Sequence, residues 1–254
     1  MYKGFDVFFE MTDTARSIPH TLTIIVPVYN EEANLARVEK ELSAFINEAK
    51  INTCILFIND GSTDASQAMI EEICSRDNRF RFICFARNAG LSAAIKAGFD
   101  HADTSLIGYI DADLQTTPAD FHLLLNELED FDLVTGVRQN RKDSFVKNMS
   151  STIANSIRRA FTNDGMDDTG CPLKIIRAEA AKKIPMFKGL HRFLPAMILL
   201  QNGKIKQVAV QHFPRIAGKA NFGLANRLLG PLSDCFAYLW MKKKYINYEI
   251  GKKG

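Results

Sequence analysis

Residues Thr21–Asp60 read TLTIIVPVYNEEANLARVEKELSAFINEAKINTCILFIND and alternate between two kinds of pattern. Thr21–Val28 is a short run rich in β-branched residues, Glu31–Lys50 has the apolar spacing of a helix, and Cys54–Ile58 is a second short apolar run. Short buried strands separated by helices of about ten to twenty residues are typical of βαβ units, whose strands run parallel. This segment therefore predicts an α/β fold.

The alternation continues to residue 137 and then loosens. Further strands are predicted at Arg81–Phe85, Leu106–Ile110, Phe131–Val137, Cys171–Arg177 and Gln207–Val210. Helical spacing predicts further helices at Ser66–Arg76, Ser92–Ala102 and Pro118–Leu128. The whole pattern predicts a mostly parallel central sheet flanked by helices.

Composition narrows the class of protein. The chain has 254 residues, of which 46% are hydrophobic and 24% are charged, as in ordinary globular domains. Its five cysteines include no CxxC pair, which argues against a disulfide framework or a zinc site and favours a reducing compartment. Acidic residues interrupt the first twenty positions, and no apolar run reaches the ~18 residues of a membrane span. We expect a cytoplasmic protein without a membrane span of its own.

Charge is divided unevenly along the chain. Residues 1–137 hold ten Lys and Arg against 22 Asp and Glu, a balance of −12, and residues 138–254 hold 22 against seven, a balance of +15. Such asymmetry predicts surfaces that face different partners. We expect the basic half to meet a phosphorylated substrate or an acidic membrane surface. No nucleic-acid partner is expected, because the basic loop after residue 137 has little aromatic interleaving.

The most informative polar residues follow the fourth apolar run, in LIGYIDAD (Leu106–Asp113). Ligands of parallel sheets bind at the carboxyl ends of the strands. Two carboxylates two residues apart in extended chain point to the same side, so Asp111 and Asp113 are expected to converge there. Hard oxygen ligands of this kind hold Mg²⁺ or Mn²⁺, and Gln115 is a candidate third ligand. The chain has neither GxGxxG nor a P-loop, which argues against Rossmann dehydrogenases and P-loop enzymes.

Several segments resemble the ordered motifs of family 2 glycosyltransferases with the GT-A fold. They are TIIVPVYNEEANL (Thr23–Leu35), FINDGSTDAS (Phe57–Ser66), RNAGLSAAIKAG (Arg87–Gly98) and DADLQTTP (Asp111–Pro118). GVRQNRKDS (Gly136–Ser144) and DTGCPL (Asp168–Leu173) resemble the polyprenyl-phosphate branch, which includes dolichol-phosphate mannose synthases and undecaprenyl-phosphate sugar transferases. The resemblance implies a GT-A glycosyltransferase domain at 21–223, between an N-terminal extension (1–20) and an amphipathic basic C-terminal tail (224–254).

The resemblance also implies an activity. It is that of an inverting, metal-dependent enzyme that moves a sugar from GDP-mannose or a UDP-sugar to a dolichyl or undecaprenyl phosphate. The alternative is a family 2 glycosyltransferase that acts on a saccharide in surface-polysaccharide synthesis. A nucleotide-sugar-binding protein without catalysis is a third reading, against which the intact pair of Asp111 and Asp113 argues.

The resemblance assigns the donor site to a defined set of residues. From the base to the diphosphate, the donor would be bound by Pro27, Tyr29, Glu31, Asp60, Asp111 and Gln115. The Mg²⁺ or Mn²⁺ that bridges the diphosphate would be held by Asp111, Asp113 and Gln115. The catalytic residues would be Asp113, Arg138 and Arg141.

The acceptor assignment depends on the charge of a phosphate. A monophosphate with a second pKa near 6 is largely ionised at neutral pH, so it needs cations more than a general base. Arg138 and Arg141, with Lys142 beside them, fit this task because guanidinium groups bind phosphate bidentately. The resemblance adds Arg215 and Lys219 as a second basic patch that closes over the site.

A sugar hydroxyl as acceptor would instead require a carboxylate base, for which Asp168 is the first candidate.

The tail from Leu224 has an amphipathic pattern. Helical spacing places Leu228, Leu232, Cys235, Phe236, Leu239 and Trp240 near one face, followed by three lysines at 242–244. Such a helix could lie on the cytoplasmic face of the membrane, dock on a membrane-spanning partner, or pack on its own core. We expect the protein to be peripheral on that membrane face.

Overall fold

One sheet of seven strands organises the protein. The computed structural model describes residues 21–139, 158–214, 224–247 and 251–252, with side chains of the last helix described from Ser233 onward. Its strands are β1 (Leu22–Val28), β2 (Thr53–Asn59), β3 (Phe80–Cys84), β4 (Leu106–Tyr109), β5 (Leu133–Arg138), β6 (Lys174–Arg177) and β7 (Ile205–Val210). Each of them matches a strand predicted from the apolar runs.

The order of the strands across the sheet is β3-β2-β1-β4-β6-β5-β7. The first four run parallel to one another, and β7 runs parallel to β5. Strand β6 runs antiparallel to both of its neighbours, β4 and β5. The predicted mostly parallel sheet is confirmed, with one reversed strand that the sequence pattern does not reveal. Because of this reversal, the segment that leads into β6 lies at the same edge as the carboxyl ends of β4 and β5.

Helices cover both faces of the sheet. They are α1 (Glu32–Glu48), α2 (Ser66–Arg76), α3 (Leu91–His101), α4 (Phe121–Asn126), α5 (Ala178–Lys182), α6 (Leu194–Leu200) and α7 (Leu224–Lys244). Residues 158–162 are also helical. The predicted helix Pro118–Leu128 is split into a 3₁₀ turn, Pro118–Asp120, and α4. The Thr117 hydroxyl accepts a hydrogen bond from the Ala119 amide at 3.3 Å, which fixes this tighter start.

The alternation of side chains along β1 explains the two cores. Ile24 and Val26 pack with α1, α2 and α4 in one buried cluster. Ile25, between them, faces the other side of the sheet and packs with α3, α5, α6 and α7. The central strand is therefore buried on both faces, which is why its sequence is a continuous apolar run.

The inner side of α7 belongs to the second core. Cys235 and Tyr238 are each 2% exposed, and the Tyr238 ring stacks on Phe193 with their centroids 5.6 Å apart. Met241 packs against the same cluster one turn further on. The predicted single apolar face is therefore wrong, because Cys235 points inward while other apolar residues of the pattern point outward.

The outer face of α7 consists of Phe236, Leu239, Trp240 and Lys243, which are all exposed. Their spacing of three, four and seven residues places them on one side of the helix. Phe236 is 59% exposed and Trp240 is 69% exposed, which is unusual for large aromatic side chains. Within the described ranges, the structure contains no helix with the length and apolar character that crossing a bilayer requires.

Candidate active site

Asp111 and Asp113 lie in a tight turn directly after β4. The Leu114 amide donates to the carbonyl of Asp111 at 3.2 Å, and Leu114 adopts a left-handed backbone with φ of 46°. The expectation of an extended chain at this point is wrong, because β4 ends at Tyr109 and the chain curls back on itself. The negative charge of Asp113 nevertheless acts on Asp111, where it contributes to a raised pKa of the Asp111 carboxyl.

The environment of Asp111 is unfavourable to negative charge. Burial, and then the neighbouring charge of Asp113, raise the pKa of the Asp111 carboxyl to about 6, while a hydrogen bond from the Tyr109 hydroxyl opposes the rise. Asp113 is buried, and its Oδ1 accepts a hydrogen bond from the Gln115 amide at 3.2 Å. Two crowded carboxylates of this kind are stabilised by a cation placed between them.

The turn is anchored by residues to which the sequence patterns assigned no role. The Leu114 side chain is buried in the first core, and its carbonyl accepts a hydrogen bond from Nη2 of Arg37 in α1 at 3.1 Å. A left-handed leucine costs free energy, so the turn persists only where surrounding contacts hold it. A leucine gives no sequence signal of this conformation, since left-handed turns are usually recognised by Gly or Asn.

Asp60 follows β2 and holds the loop that leads into α3. Its carboxylate oxygens accept hydrogen bonds from the side-chain amide of Asn88 at 2.9 Å and from the backbone amides of Ala89 and Gly90 at 2.6 and 2.9 Å. The next residue, Gly61, has φ of 66°, and a Cβ there would lie 2.5 Å from the carbonyl carbon of Arg87. Glycine is therefore required where these two loops meet.

The end of β1 supplies the other predicted donor residues. Pro27 lacks an amide hydrogen, and its nitrogen faces the side where β4 has already ended, so no ladder bond is lost. Tyr29 is partly exposed beyond the end of the strand. Oε2 of Glu31 accepts a hydrogen bond from the side-chain amide of Asn34 at 2.5 Å. The backbone amide of Glu31 donates to the hydroxyl of Ser66. The structure thus brings the ends of β1, β2 and β4 to one edge of the sheet.

Arg138 ends β5 at the same edge and forms an ion pair with Asp168. Nε and Nη2 of Arg138 donate to Oδ2 and Oδ1 of Asp168 at 2.7 and 2.8 Å. Burial alone would lower the pKa of the Arg138 guanidinium, but the Asp168 carboxylate raises it above its ordinary value. The charge of Asp111 also acts on Arg138 and contributes to its raised pKa. Strands β4 and β5 end at the same edge of the sheet with β6 between them, so Arg138 and the acidic turn lie at that edge.

Lys174 is a buried cation behind this pair and was not among the predicted site residues. It is only 1% exposed, and its ammonium donates to the carbonyls of Cys171 and Thr169. Burial lowers the pKa of the Lys174 ammonium. The available signal was a lysine inside the apolar run CPLKII, because a charged residue in a buried strand needs partners. Strand β6 begins at this lysine, three residues later than predicted.

The segment after β7 contacts the residues that follow the acidic turn. The Phe213 amide donates to the carbonyl of Gln115 at 2.8 Å, and the Gln211 amide donates to Oδ2 of Asp120 at 2.7 Å. The remaining predicted cations lie outside the described residues; they are Arg141, Lys142, Arg215 and Lys219.

A metal would be held here by few protein ligands. No cluster of three or more His, Cys, Asp or Glu side chains suited to a metal ion occurs in the part of the chain that the structure describes. Asp111 and Asp113 offer two carboxylates, and Gln115 an amide oxygen. A hard cation with so few protein ligands keeps positions for phosphate oxygens, as Mg²⁺ commonly does. The donor set therefore fits a divalent ion that also binds a diphosphate.

Comparisons with known proteins agree with this geometry. The family model described as "Glycosyl transferase family 2" matches residues 23–185. A dodecaprenyl-phosphate galacturonate synthase of Rhizobium johnstonii is 33% identical over 210 residues, which are 80% of this chain and 62% of that protein. An undecaprenyl-phosphate 4-deoxy-4-formamido-L-arabinose transferase of Salmonella enteritidis is 31% identical, with 84% of this chain and 65% of that protein covered. The chain thus spans less than two thirds of the length of these relatives.

A solved structure shares the fold. Glucosyl-3-phosphoglycerate synthase from Mycobacterium tuberculosis superposes with a TM-score of 0.68 at 16% identity, over 92% of this chain and 83% of that one. Another structure of that enzyme contains Mn²⁺ and uridine diphosphate. The predicted GT-A fold and the predicted similarity to polyprenyl-phosphate glycosyltransferases are both confirmed.

Proposed function

The chain belongs to glycosyl transferase family 2, and on that premise we propose that it transfers a sugar, with inversion, from a nucleotide-sugar donor to a polyprenyl phosphate. The observation that carries the proposal is the placement of an acidic turn, Asp111 to Leu114, after β4 and of a largely buried arginine, Arg138, at the end of β5, at one edge of the sheet. The relatives named for dodecaprenyl and undecaprenyl phosphate support this acceptor class. Residues 21–223 would form the catalytic domain.

The donor would occupy the ends of β1, β2 and β4. Pro27, Tyr29 and Glu31 would line the base and ribose pocket. Asp60 would act there mainly by fixing the loop before α3, since its oxygens already accept three hydrogen bonds from that loop. The diphosphate would lie over the acidic turn.

A divalent ion, Mg²⁺ or Mn²⁺, is proposed at Asp111, Asp113 and Gln115. When bound, it would stabilise the departing nucleoside diphosphate as a Lewis acid. The Tyr109 hydroxyl keeps the Asp111 carboxylate oriented and favours its charged form. The raised pKa of Asp111 without a metal supports the assignment, because the pair lacks a compensating positive charge.

The acceptor phosphate would be bound by cations on the other side of the turn. Arg138 already lies there, and Arg141 and Lys142 follow it in sequence. Arg215 and Lys219 follow Phe213, whose contact with Gln115 brings the chain to the acidic turn. Such cations would let a phosphate dianion approach the donor without a general base. This arrangement favours a phosphate over a saccharide hydroxyl, because Asp168, the candidate base, is paired with Arg138.

We propose that the outer face of α7 lies on a membrane surface that contains anionic lipid. Exposed aromatic side chains beside lysines are typical of interfacial helices. The acceptor class supports this location, since a polyprenyl chain is held in the bilayer. The proposed location is the cytoplasmic membrane face, with peripheral attachment.

The experiment is transfer of radiolabelled sugar from a panel of nucleotide sugars to undecaprenyl or dolichyl phosphate, with the product extracted into organic solvent. EDTA and Asp113→Asn should each abolish transfer, and added Mn²⁺ or Mg²⁺ should restore it only after EDTA. Asp130→Asn, which changes an exposed carboxylate, is the matched control. Label in a water-soluble saccharide would favour the polysaccharide alternative, and donor binding without transfer would indicate a binding protein.

A further inference from the structure

The Arg138–Asp168 pair is built to hold one orientation of the guanidinium. Nε and Nη2 form one edge of the guanidinium plane, and both bind Asp168. The backbone amide of Arg138 also approaches Oδ2 of Asp168, at 3.4 Å. The two side chains are 14% and 8% exposed, so water competes little for these bonds. Such a side-on pair fixes the plane as well as the position of the charge.

The segment that carries Asp168 is itself held from behind. The Lys174 ammonium binds the carbonyls of Thr169 and Cys171, and the Cys171 amide donates to the carbonyl of Asp168 at 3.4 Å. Gly170 lies between them, and a Cβ there would come within 3.1 Å of Nη2 of Arg138. The loop therefore wraps a buried ammonium and closes tightly on the arginine.

Asp111 is an alternative partner for Arg138. Strands β4 and β5 end at the same edge of the sheet with only β6 between them, so a guanidinium released from Asp168 has the acidic turn on its near side. The charge of Asp111 acts on Arg138 across this gap. Pairing of Arg138 with Asp111 would neutralise a carboxylate proposed to bind the donor and would move the guanidinium away from the proposed acceptor side.

We propose that Asp168 is a positioning residue, which holds Arg138 by its Nε–Nη2 edge, keeps it from pairing with Asp111, and turns its Nη1 edge toward the acceptor. Asp168 then takes no proton in the reaction. The acceptor part of this inference rests on the proposed function, whereas the restraint of Arg138 does not.

A double-mutant cycle tests the proposal. Asp168→Asn keeps the size of the side chain but replaces one acceptor oxygen by a donor that faces the guanidinium. We expect the KM for polyprenyl phosphate to rise about ten-fold, with the acid side of the kcat–pH profile unchanged. In an Arg138→Ala background, Asp168→Asn should add less than about two-fold, because a residue that acts through another has no effect once that residue is absent.

A general base would behave differently. A fall in kcat of about a hundred-fold or more with loss of the acid limb, or equal losses in both backgrounds, would overturn the proposal. Arg138→Lys gives a second test that leaves Asp168 in place. It keeps the charge but cannot form the two-point pair, so its acceptor KM should match that of Arg138→Ala and not that of the wild-type chain.

A binding measurement separates this inference from the proposed function. Mn²⁺ affinity should fall in Asp168→Asn, because the released Arg138 then pairs with Asp111. In the Arg138→Ala background, Asp168→Asn should leave Mn²⁺ affinity unchanged. If the wild-type chain does not use polyprenyl phosphate, the proposed function fails while the Mn²⁺ cycle still decides the role of Asp168. Equal Mn²⁺ affinity in Asp168→Asn and wild type, with both proteins folded by circular dichroism, would contradict the restraint.

Discussion

The hydroxyl of Tyr109 donates a hydrogen bond of 2.6 Å to Oδ1 of Asp111, two residues further along the chain. Burial, and then the charge of Asp111, keep the pKa of the Tyr109 phenol well above its ordinary value, so the phenol stays protonated. The last residue of a buried strand thus supports the first carboxylate of the acidic turn. Hydrogen bonds from a neighbouring side chain commonly orient the groups that bind a metal.

Tyr109→Phe should shift the pH dependence of metal binding. In the metal-free protein the Asp111 carboxyl has a pKa of about 6, and the Tyr109 bond lowers it, so removal of the bond raises it further. Mn²⁺ affinity should therefore begin to fall at a higher pH than in the wild-type chain. Calorimetric titrations between pH 5 and 8 measure this, with Tyr245→Phe as the control. Superimposable curves would show that the bond has no effect on Asp111.

Asp111→Asn should stabilise the metal-free protein at neutral pH. The pKa of Asp111 in the folded protein is raised from 3.8 to about 6, so ionised Asp111 opposes folding. The resulting loss of folding free energy begins as the pH rises above about 4 and is complete above about 6. We expect the free energy of unfolding to rise by about 1–3 kcal/mol at pH 7.5, with no difference near pH 4. Urea unfolding in EDTA at both pH values tests this. A less stable variant at pH 7.5 would refute it.

Gly61→Ala should be more damaging than Gly90→Ala. Both glycines have positive φ, so each substitution carries backbone strain on the order of 1–3 kcal/mol. At Gly61 the new methyl would also meet the backbone of Arg87 and Asn88, whereas nothing lies within 4 Å of it at Gly90. We expect Gly61→Ala to lower the free energy of unfolding by about 1–3 kcal/mol more than Gly90→Ala does. Only Gly61→Ala should also weaken donor binding. Thermal unfolding with and without nucleotide sugar compares them; equal losses would mean that the two loops are not in close contact.

Phe236→Ser with Trp240→Ser should reduce membrane binding without unfolding the protein. Both side chains lie on the outer face of α7, where Trp240 is 69% exposed and Phe236, 59% exposed, also meets the ring of Phe161 edge-on. Burial of an aromatic side chain is worth roughly 1.5–3 kcal/mol, so partitioning should fall at least about ten-fold. Co-sedimentation with vesicles containing anionic lipid, across a salt series, measures this. Phe82→Ser, at a 40% exposed position on β3, is the control. Deletion of α7 is less informative, because Tyr238 is part of the core.

Some features could be read from the sequence because they depend on local periodicity. The continuous apolar run of β1 indicates a strand buried on both faces. The 3.6-residue spacing of apolar residues in α1 indicates a helix buried on one face. The positions of Asp60 and Asp111 followed from the rule that ligands meet the carboxyl ends of parallel strands.

Other features depend on contacts between distant segments. The pairing of Arg138 with Asp168 joins residues 30 positions apart, and the reversal of β6 is set by which strands it lies between. The left-handed backbone of Leu114 is imposed by tertiary packing, against the preference of leucine. Periodicity carries no information of this kind, so these parts of the site emerged only with the fold.

The reversed strand β6 separates the four parallel strands on one side of the sheet from β5 and β7 on the other. The proposed donor residues lie in turns that follow parallel strands, whereas the proposed acceptor side comprises the end of β5, the entry to β6 and the exit of β7. A chimaera that exchanges residues 138–173 and those after 210 between relatives would therefore alter which acceptor is chosen while the nucleotide preference is inherited unchanged. The proposed assignment thus puts the determinants of the two substrates on different strands of one sheet.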